Sequence, residues 1–134
     1  MKHREDTGED IPFCNECINI EYSNLNDINV VTSDKYIEED TKIDIGGVKL
    51  ILIPHISTHT DDSLFVYCKE LNSLFVGDAD GEDFYHGAIY DKDKLIDMIN
   101  FYKTLDYNRH FFCHYEERSK DFAISELEKI LQEL

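Results

Sequence analysis

The sequence has few basic residues and no long apolar run, and each shortage excludes a class of protein. Lysine and arginine number 13 against 29 aspartates and glutamates, which gives a formal net charge of −16. Because binding to a nucleic-acid backbone or an anionic membrane depends on clustered basic side chains, we expect neither as a partner. No stretch approaches the roughly 20 apolar residues that a membrane-spanning helix needs.

Several motifs with a known mechanism are also missing. The sequence contains no glycine-rich phosphate loop, no serine or cysteine nucleophile motif and no basic stripe interleaved with aromatics. Residues 1–10 are almost entirely polar and do not resemble a signal peptide. We therefore expect a soluble, acidic, cytoplasmic protein whose thiols are reduced.

The four cysteines leave two interpretations open. Cys14 and Cys17 have the Cys-x-x-Cys spacing of zinc or redox sites, but no second pair follows them. Cys68 and Cys113 fall in predicted strands, where cysteine is usually a small apolar filler. Since successive strand side chains point to opposite faces, Cys113 is expected to pack in the core while His114 points away.

The composition predicts one globular domain. The chain has 134 residues, of which 42% are hydrophobic and 12% aromatic, enough for a single modest core. No internal repeat, low-complexity tract or linker interrupts it. We expect a single domain over residues 1–134, in which residues 1–27 form a divergent or truncated N-terminal lead-in.

Strand patterns dominate the middle of the chain. Residues 41–45 alternate in polarity, and Gly46-Gly47 predicts a two-residue hairpin turn because both glycines tolerate positive φ. Residues 48–53 are continuously apolar, as in a strand buried on both faces. A second hairpin is predicted over Ser63–Cys68 and Ser73–Val76.

Helical patterns dominate the C-terminal third. Asp91 is the predicted cap of a helix from about Lys92 to Leu105, and Ser119 or Asp121 starts a second helix that runs to the C-terminus. A short strand, Arg109–Cys113, lies between them. The order of elements predicts an α/β (α+β) fold with a mainly antiparallel sheet and two C-terminal helices.

Three polar residues stand where predicted strands meet loops. His59 precedes the strand that begins at Ser63, Asp78 follows the strand that ends at Val76, and His114 follows Cys113. Imidazole and carboxylate together hold divalent zinc, iron or manganese well. These three are the candidate metal ligands. His55, Asp80 and Asp83 are expected to support the ligands or to lie in a solvated loop, and Tyr85 and His86 to line a pocket or to lie in an exposed loop.

The order of these motifs resembles the metallo-β-lactamase superfamily. His59-Thr60-Asp61-Asp62-Ser63 resembles the family's His-Thr-Pro-Gly-Ser turn, Gly77-Asp78 its strand ending in Gly-Asp, and Phe112-Cys113-His114 its strand ending in Gly-His. The resemblance covers residues 28–134, the C-terminal half of an αββα sandwich. It implies that His59 ligates one metal, that Asp78 bridges two, and that His114 ligates the second.

The sequence also departs from the family pattern. The N-terminal His-x-His-x-Asp-His motif is not found, and only His3 could be its remnant, with Lys2 at the aspartate position. Asp61-Asp62 replaces Pro-Gly and adds negative charge beside the site. The resemblance leaves His114, Asp78 and His3 for the second metal, so we expect a single, weaker metal site and not full dinuclear hydrolysis.

Two functions follow from the resemblance. The first is a metal-dependent hydrolase of an ester, thioester, lactone or phosphoester, truncated or divergent in its N-terminal half, in which a metal-activated water attacks a small-molecule substrate and Asp78 is catalytic. Zinc is the expected metal. The second is a non-catalytic remnant that binds a metal or a protein. Because half a sandwich leaves one sheet face uncovered, such a chain is expected to form a homodimer or to expose an apolar patch.

Overall fold

The protein is seen here in a computed structural model. It describes residues 33–84 and 86–134, and also Ile20, Tyr22, Asn29 and Val31. The chain divides into two units, Met1–Tyr36 and Ile37–Leu134, and the second carries every strand and helix described below. His3, Cys14, Cys17 and Tyr85 lie outside the described residues, so the ligand, zinc, redox and pocket roles considered for them stay predictions. The single domain and its lead-in over residues 1–27 also stay predictions.

Six strands form one sheet in which spatial order follows chain order. Neighbouring strands run antiparallel except for the fourth and fifth, which are parallel and are joined through the first helix. A parallel pair needs such a crossover, since a tight turn can only reverse the chain. The strands are β1 Thr41–Asp44, β2 Lys49–His55, β3 Ser63–Cys68, β4 Ser73–Gly77, β5 Arg109–Phe112 and β6 Arg118–Ser119.

The two described helices are α1, Lys92–Thr104, and α2, Lys120–Glu133. The Asp91 carboxylate accepts hydrogen bonds from the amides of Asp93 and Lys94, and the Ser119 hydroxyl accepts one from the Phe122 amide. Each cap satisfies amides that a first helical turn leaves without partners. The mainly antiparallel sheet with two C-terminal helices is thereby confirmed. Neither described helix is long and apolar enough to cross a membrane.

The turn between β1 and β2 forms as its glycines predict. Gly46 and Gly47 have φ of +89° and +102°, and the Ile45 amide donates to the Val48 carbonyl across 3.0 Å. The Asp44 carboxylate accepts from both glycine amides. This turn sets the register of the first hairpin, in which Ile43 pairs with Leu50.

The core lies between one face of the sheet and the two helices. Alternate residues of the central strands, among them Phe65, Leu74 and Val76, are buried on this inner face. Leu95, Met98 and Tyr102 of α1 and Leu127 of α2 pack into the same cluster. Burying this much apolar surface is the main stabilising contribution to the fold.

The opposite, outer face of the sheet is apolar and only partly covered. Ile43, Leu64 and Phe75 lie on it and are 36%, 43% and 38% exposed. The prediction that residues 48–53 are buried on both faces is wrong, because Ile53 is the only one of these six residues that is fully buried. The reason is architectural: both described helices pack on the inner face.

Candidate metal centre

The strand directions bring the three predicted ligands to one edge of the sheet. His59 lies in the loop from β2 to β3, Asp78 directly follows β4, and His114 follows β5. The end of β2, the start of β3 and the end of β4 meet because these strands are antiparallel, and the end of β5 joins them because it runs parallel to β4. A cavity of ≈ 260 Å³ is lined by His59, Asp78 and His114, with Gly81, Glu82, Phe84 and Phe112.

Asp78 and His114 lie next to each other at the wall of this cavity. His114 Nε2 lies 3.0 Å from Asp78 Oδ1. The two atoms do not form a hydrogen bond, and Oδ1 is a buried carboxylate oxygen without a hydrogen-bond partner. Gly77, with φ of +59°, turns the chain at this point and directs Asp78 away from the strand. An unpartnered buried oxygen beside an imidazole nitrogen is an arrangement that a cation would satisfy.

His59 is oriented for ligation by its backbone partner. Its Nδ1 lies 2.8 Å from the carbonyl oxygen of Glu82, which can only accept, so Nδ1 donates and Nε2 keeps its lone pair. This is the usual way in which proteins fix the tautomer of a metal-binding histidine. The sequence motif did not reveal Glu82, because the contact uses its main chain.

The loops that carry His59 and Asp78 are tied together by buried polar contacts. The fully buried Thr58 hydroxyl lies 2.9 Å from the Ala79 carbonyl and 2.7 Å from the Gly81 carbonyl, sharing one proton between them. Gly81 packs against the His59 ring so closely that an added Cβ would lie 3.4 Å from Nδ1 and 3.0 Å from the Asp78 carbonyl. A side chain at this position would therefore be crowded by the Asp78 carbonyl and the His59 ring, and glycine permits their close approach.

The predicted ligands fit one metal ion in part. Two ligands of one tetrahedral ion, each at about 2.1 Å, lie roughly 3.4 Å apart, close to the Asp78–His114 separation. Within residues 33–84 and 86–134, no three His, Cys, Asp or Glu side chains form a compact ligand group. Asp78 and His114 thus form a preassembled pair, and His59 lies on the wall of the same cavity.

A second aspartate–histidine pair is formed by Asp80, two residues after Asp78, and His110 of β5. Asp80 Oδ2 accepts from His110 Nε2 at 2.7 Å, and Oδ1 accepts from the Tyr102 hydroxyl at 2.6 Å. His110 Nδ1 in turn lies 3.2 Å from the Tyr107 hydroxyl. Burial and the Asp80 charge raise the pKa of Tyr102 and Tyr107 well above the ordinary tyrosine value. Asp80 is therefore a buried anchor of the turn that carries Asp78, and not a solvated residue.

Other polar residues near the motif have separate partners. His55 stacks on Phe101 of α1 with ring centres 4.1 Å apart and lines a different cavity from His59. His86 Nδ1 lies 2.7 Å from Asp83 Oδ2, and this contact lowers the pKa of Asp83. Both His86 and Asp83 line a cavity on another side of His59.

The two aspartates that replace Pro-Gly each have a partner. Lys94 of α1 pairs with Asp61 at 2.6 Å, and this contact raises the pKa of Lys94. The Thr60 hydroxyl donates to Asp62 at 2.6 Å. The added negative charge at this turn is thus partly neutralised from α1.

The structure separates the two described cysteines. Cys68 is buried in β3, in agreement with a small apolar filler. The prediction of core packing for Cys113 is wrong, since this residue is exposed. It lies just past the end of β5 at Phe112, where strict alternation of side chains no longer holds.

A larger cavity adjoins the candidate metal centre. Its volume is ≈ 460 Å³, and it shares Gly81, Glu82, Phe112 and His114 with the smaller cavity. Its remaining wall comes from Asp80, Tyr90, Tyr115, Arg118 and the inner side of α2. No sequence pattern predicts this cavity, because its wall combines residues from distant parts of the chain.

Comparison with solved structures shows the same fold. The chain matches a metallo-beta-lactamase from Pontibacter korlensis with a TM-score of 0.59 and 20% identity, over 100% of this chain and 63% of that one. It matches the chemotaxis sensor ODP, described with a peroxy diiron species, with a TM-score of 0.54 and 14% identity, over 69% and 49% of the two chains. It matches the flavodiiron protein from Giardia intestinalis with a TM-score of 0.52 and 19% identity, over 91% of this chain and 35% of that one.

The chain therefore spans less than two thirds of the length of these structures. A comparison with curated protein sequences gives no match. The family model of the metallo-beta-lactamase superfamily matches residues 9–114, most of the chain. Together with the six-stranded sheet and its two helices, this match confirms the resemblance of the sequence motifs: the chain belongs to the metallo-beta-lactamase superfamily.

Proposed function

We propose that the protein is a metal-dependent hydrolase of an ester, thioester, lactone or phosphoester, with His59, Asp78 and His114 as metal ligands. The observation that carries the proposal is the unpartnered buried Oδ1 of Asp78, 3.0 Å from His114 Nε2, in a cavity that His59 also lines. Superfamily membership supports a metal-dependent hydrolase in general. His3 is a fourth candidate ligand on sequence grounds alone.

The metal in this proposal is divalent, with zinc expected and iron or manganese as alternatives. Two of the structures that share the fold are described as diiron proteins, which supports iron as an alternative. When bound, such an ion lowers the pKa of a coordinated water and supplies a nucleophile near neutral pH.

The chain's own residues would prepare that site. Glu82, through its carbonyl, holds His59 in the tautomer that exposes Nε2. Asp80, held by His110 and Tyr102, fixes the turn from which Asp78 projects. Phe84 and Phe112 line the smaller cavity and would limit the access of bulk water to a bound substrate.

Metal content and turnover test the proposal together. Elemental analysis of the purified protein should detect bound zinc, iron or manganese. The metal-loaded protein should hydrolyse an aryl ester or an aryl phosphodiester. Asp78→Ala and His59→Ala should each lower metal affinity beyond the roughly 10- to 100-fold that loss of an outer supporting residue costs. His86→Ala is the matched control, because His86 lies near His59 but pairs with Asp83. Equal metal affinity in all four proteins would refute these ligands.

A second candidate function is a non-catalytic remnant that binds a metal or a protein and dimerises through its sheet. It is favoured by the partly exposed apolar outer face and by the lack of a compact three-ligand group among the described residues. Equilibrium sedimentation over a range of concentrations tests it. Under this alternative the protein dimerises, Leu64→Lys on the outer face weakens the dimer, and neither form shows turnover.

A further inference from the structure

Arg118 differs from Arg109, the other described arginine, in having no carboxylate partner among the residues that the structure describes. Arg109 forms a two-pronged pair with Glu117, with Nε–Oε1 and Nη2–Oε2 distances of 2.8 and 2.7 Å. Arg118 forms no ion pair with any described residue, although acidic residues outnumber basic ones by more than two to one. In so acidic a chain, a guanidinium without a carboxylate partner needs an explanation.

Aromatic rings hold Arg118 in place instead. The guanidinium carbon lies 4.2 Å from the centre of the Tyr115 ring and 5.5 Å from that of Phe122. Stacking fixes the plane of a guanidinium through its face and leaves the N–H groups on its edge available for an acceptor. The side chain is thus oriented without its hydrogen-bonding capacity being used.

Arg118 lies on the wall of the ≈ 460 Å³ cavity that adjoins the candidate metal centre. Its cross-strand partner is His110, and paired residues project to the same face, so Arg118 is on the inner side beside α2. Tyr115 and Phe112, stacked with centres 5.4 Å apart, form an aromatic wall, and Leu127 and Ile130 of α2 form an aliphatic one. A flat apolar group fits between such walls.

Three carboxylates also line this cavity. None of them forms an ion pair with Arg118, although the charge of Arg118 adds to the contact with Lys129 in lowering the pKa of Glu126. Both Asp80 oxygens already accept hydrogen bonds from Tyr102 and His110. Glu126 pairs with Lys129 at 2.5 Å. Glu82 lies where the two cavities meet, on the side where a cation would bind.

We infer that the larger cavity is the substrate-binding pocket of the proposed hydrolase and that Arg118 binds a carboxylate or phosphate group of the substrate. The anionic group of the substrate binds at Arg118, away from the bond to be cleaved. That bond lies in the smaller cavity, which the substrate enters past Phe112 and His114. The substrate class is accordingly an acidic molecule with an aromatic or other flat apolar part. This inference rests on the proposed function, but anion binding by Arg118 can be measured without turnover.

Titration calorimetry with three aromatic probes tests the inference. Phenyl phosphate and benzoate carry the two candidate anions, and benzyl alcohol is the uncharged control. Each is titrated into the full chain, both metal-loaded and after chelator treatment, because a bound metal would itself attract the anions. We expect at least one anion to bind in both states and benzyl alcohol to bind more weakly.

Variants of Arg118 assign the binding to this residue. Arg118→Gln should weaken binding of the anion about tenfold, the scale of one lost charge-assisted hydrogen bond, and leave benzyl alcohol unaffected. Arg118→Lys keeps the charge but not the stacked plane, and should restore part of the affinity. Arg109→Gln, which removes an exposed arginine on the neighbouring strand, is the matched control and should bind as the unaltered chain does.

Two results would overturn the inference. The first is that each anion binds the unaltered chain and the Arg118→Gln variant with equal affinity. The second is that anion binding is lost entirely when the metal is removed. Either would leave the proposed hydrolase standing, since metal content and turnover are judged separately. Conversely, an inactive protein that still binds anions through Arg118 would refute the hydrolase and keep the anion site.

Discussion

Two aspartates on one turn of this chain each pair with a histidine from β5 or just after it, and their surroundings give the two pairs opposite properties. Asp80 and His110 are 13% and 0% exposed, and both carboxylate oxygens accept hydrogen bonds. Asp78 and His114 are 44% and 71% exposed, and Asp78 Oδ1 accepts none. The first pair is complete within the fold, whereas the second has bonding capacity left for a ligand.

The comparison teaches that spacing alone does not distinguish a structural carboxylate from a binding one. Asp78 and Asp80 are two residues apart, and both histidines come from β5 or the residues just after it. The difference is in what covers each pair. Tyr102 of α1 covers Asp80, while Asp78 faces an open cavity.

The largest expected effect is loss of the buried pair. Asp80→Ala leaves the His110 and Tyr102 donors buried without an acceptor and should lower the free energy of unfolding by about 3 to 5 kcal/mol. The midpoint and slope of urea unfolding measure this loss. Asp83→Ala, which removes a carboxylate paired with the exposed His86, is the control and should change stability little. A small effect of Asp80→Ala would remove the contrast between the two pairs.

An alkaline loss of stability should follow from the same buried network. Burial, with the Asp80 charge beside it, raises the pKa of Tyr102 and Tyr107, so the folded chain keeps protons that the unfolded chain releases above its tyrosine pKa of 10.0. Stability is therefore full below pH 10 and decreases as the pH rises above it. Urea unfolding at several alkaline pH values measures the decrease. Tyr102→Phe should make it shallower, and an unchanged slope in that variant would assign the effect to other groups.

The smallest expected effect on stability is at Asp78. Asp78→Asn keeps the shape of the side chain and breaks no hydrogen bond of Oδ1, so the metal-free protein should unfold within about 0.5 kcal/mol of the unaltered chain. Thermal unfolding with and without added zinc separates the two roles. Added zinc should raise the midpoint of the unaltered chain more than that of Asp78→Asn. A loss of several kcal/mol without metal would make Asp78 a structural residue like Asp80.

Sequence reasoning succeeded where a local pattern settled the outcome. Gly46-Gly47 produced the predicted turn and Asp91 the predicted cap, because both depend on backbone preferences within a few residues. His59, Asp78 and His114 were drawn from strand ends, and the sheet places all three on one cavity. Their role as ligands remains a proposal. Sequence reasoning failed for Cys113 and for the burial of residues 48–53. There the outcome depended on where the strand ended and on what covered the sheet.

The amino-acid sequence by itself determined the first five strands, the Asp91 helix cap, the acidic character of the chain and the positions of the candidate ligands along it. These features depend on local backbone preference, periodicity and composition, which a single sequence contains. Only the tertiary structure decided that Asp80 is buried with His110 while Asp78 is left unpartnered beside His114, and that Arg118 stacks on Tyr115 next to a cavity. Those contacts join residues from different elements, and their chemistry depends on burial, which no local pattern specifies.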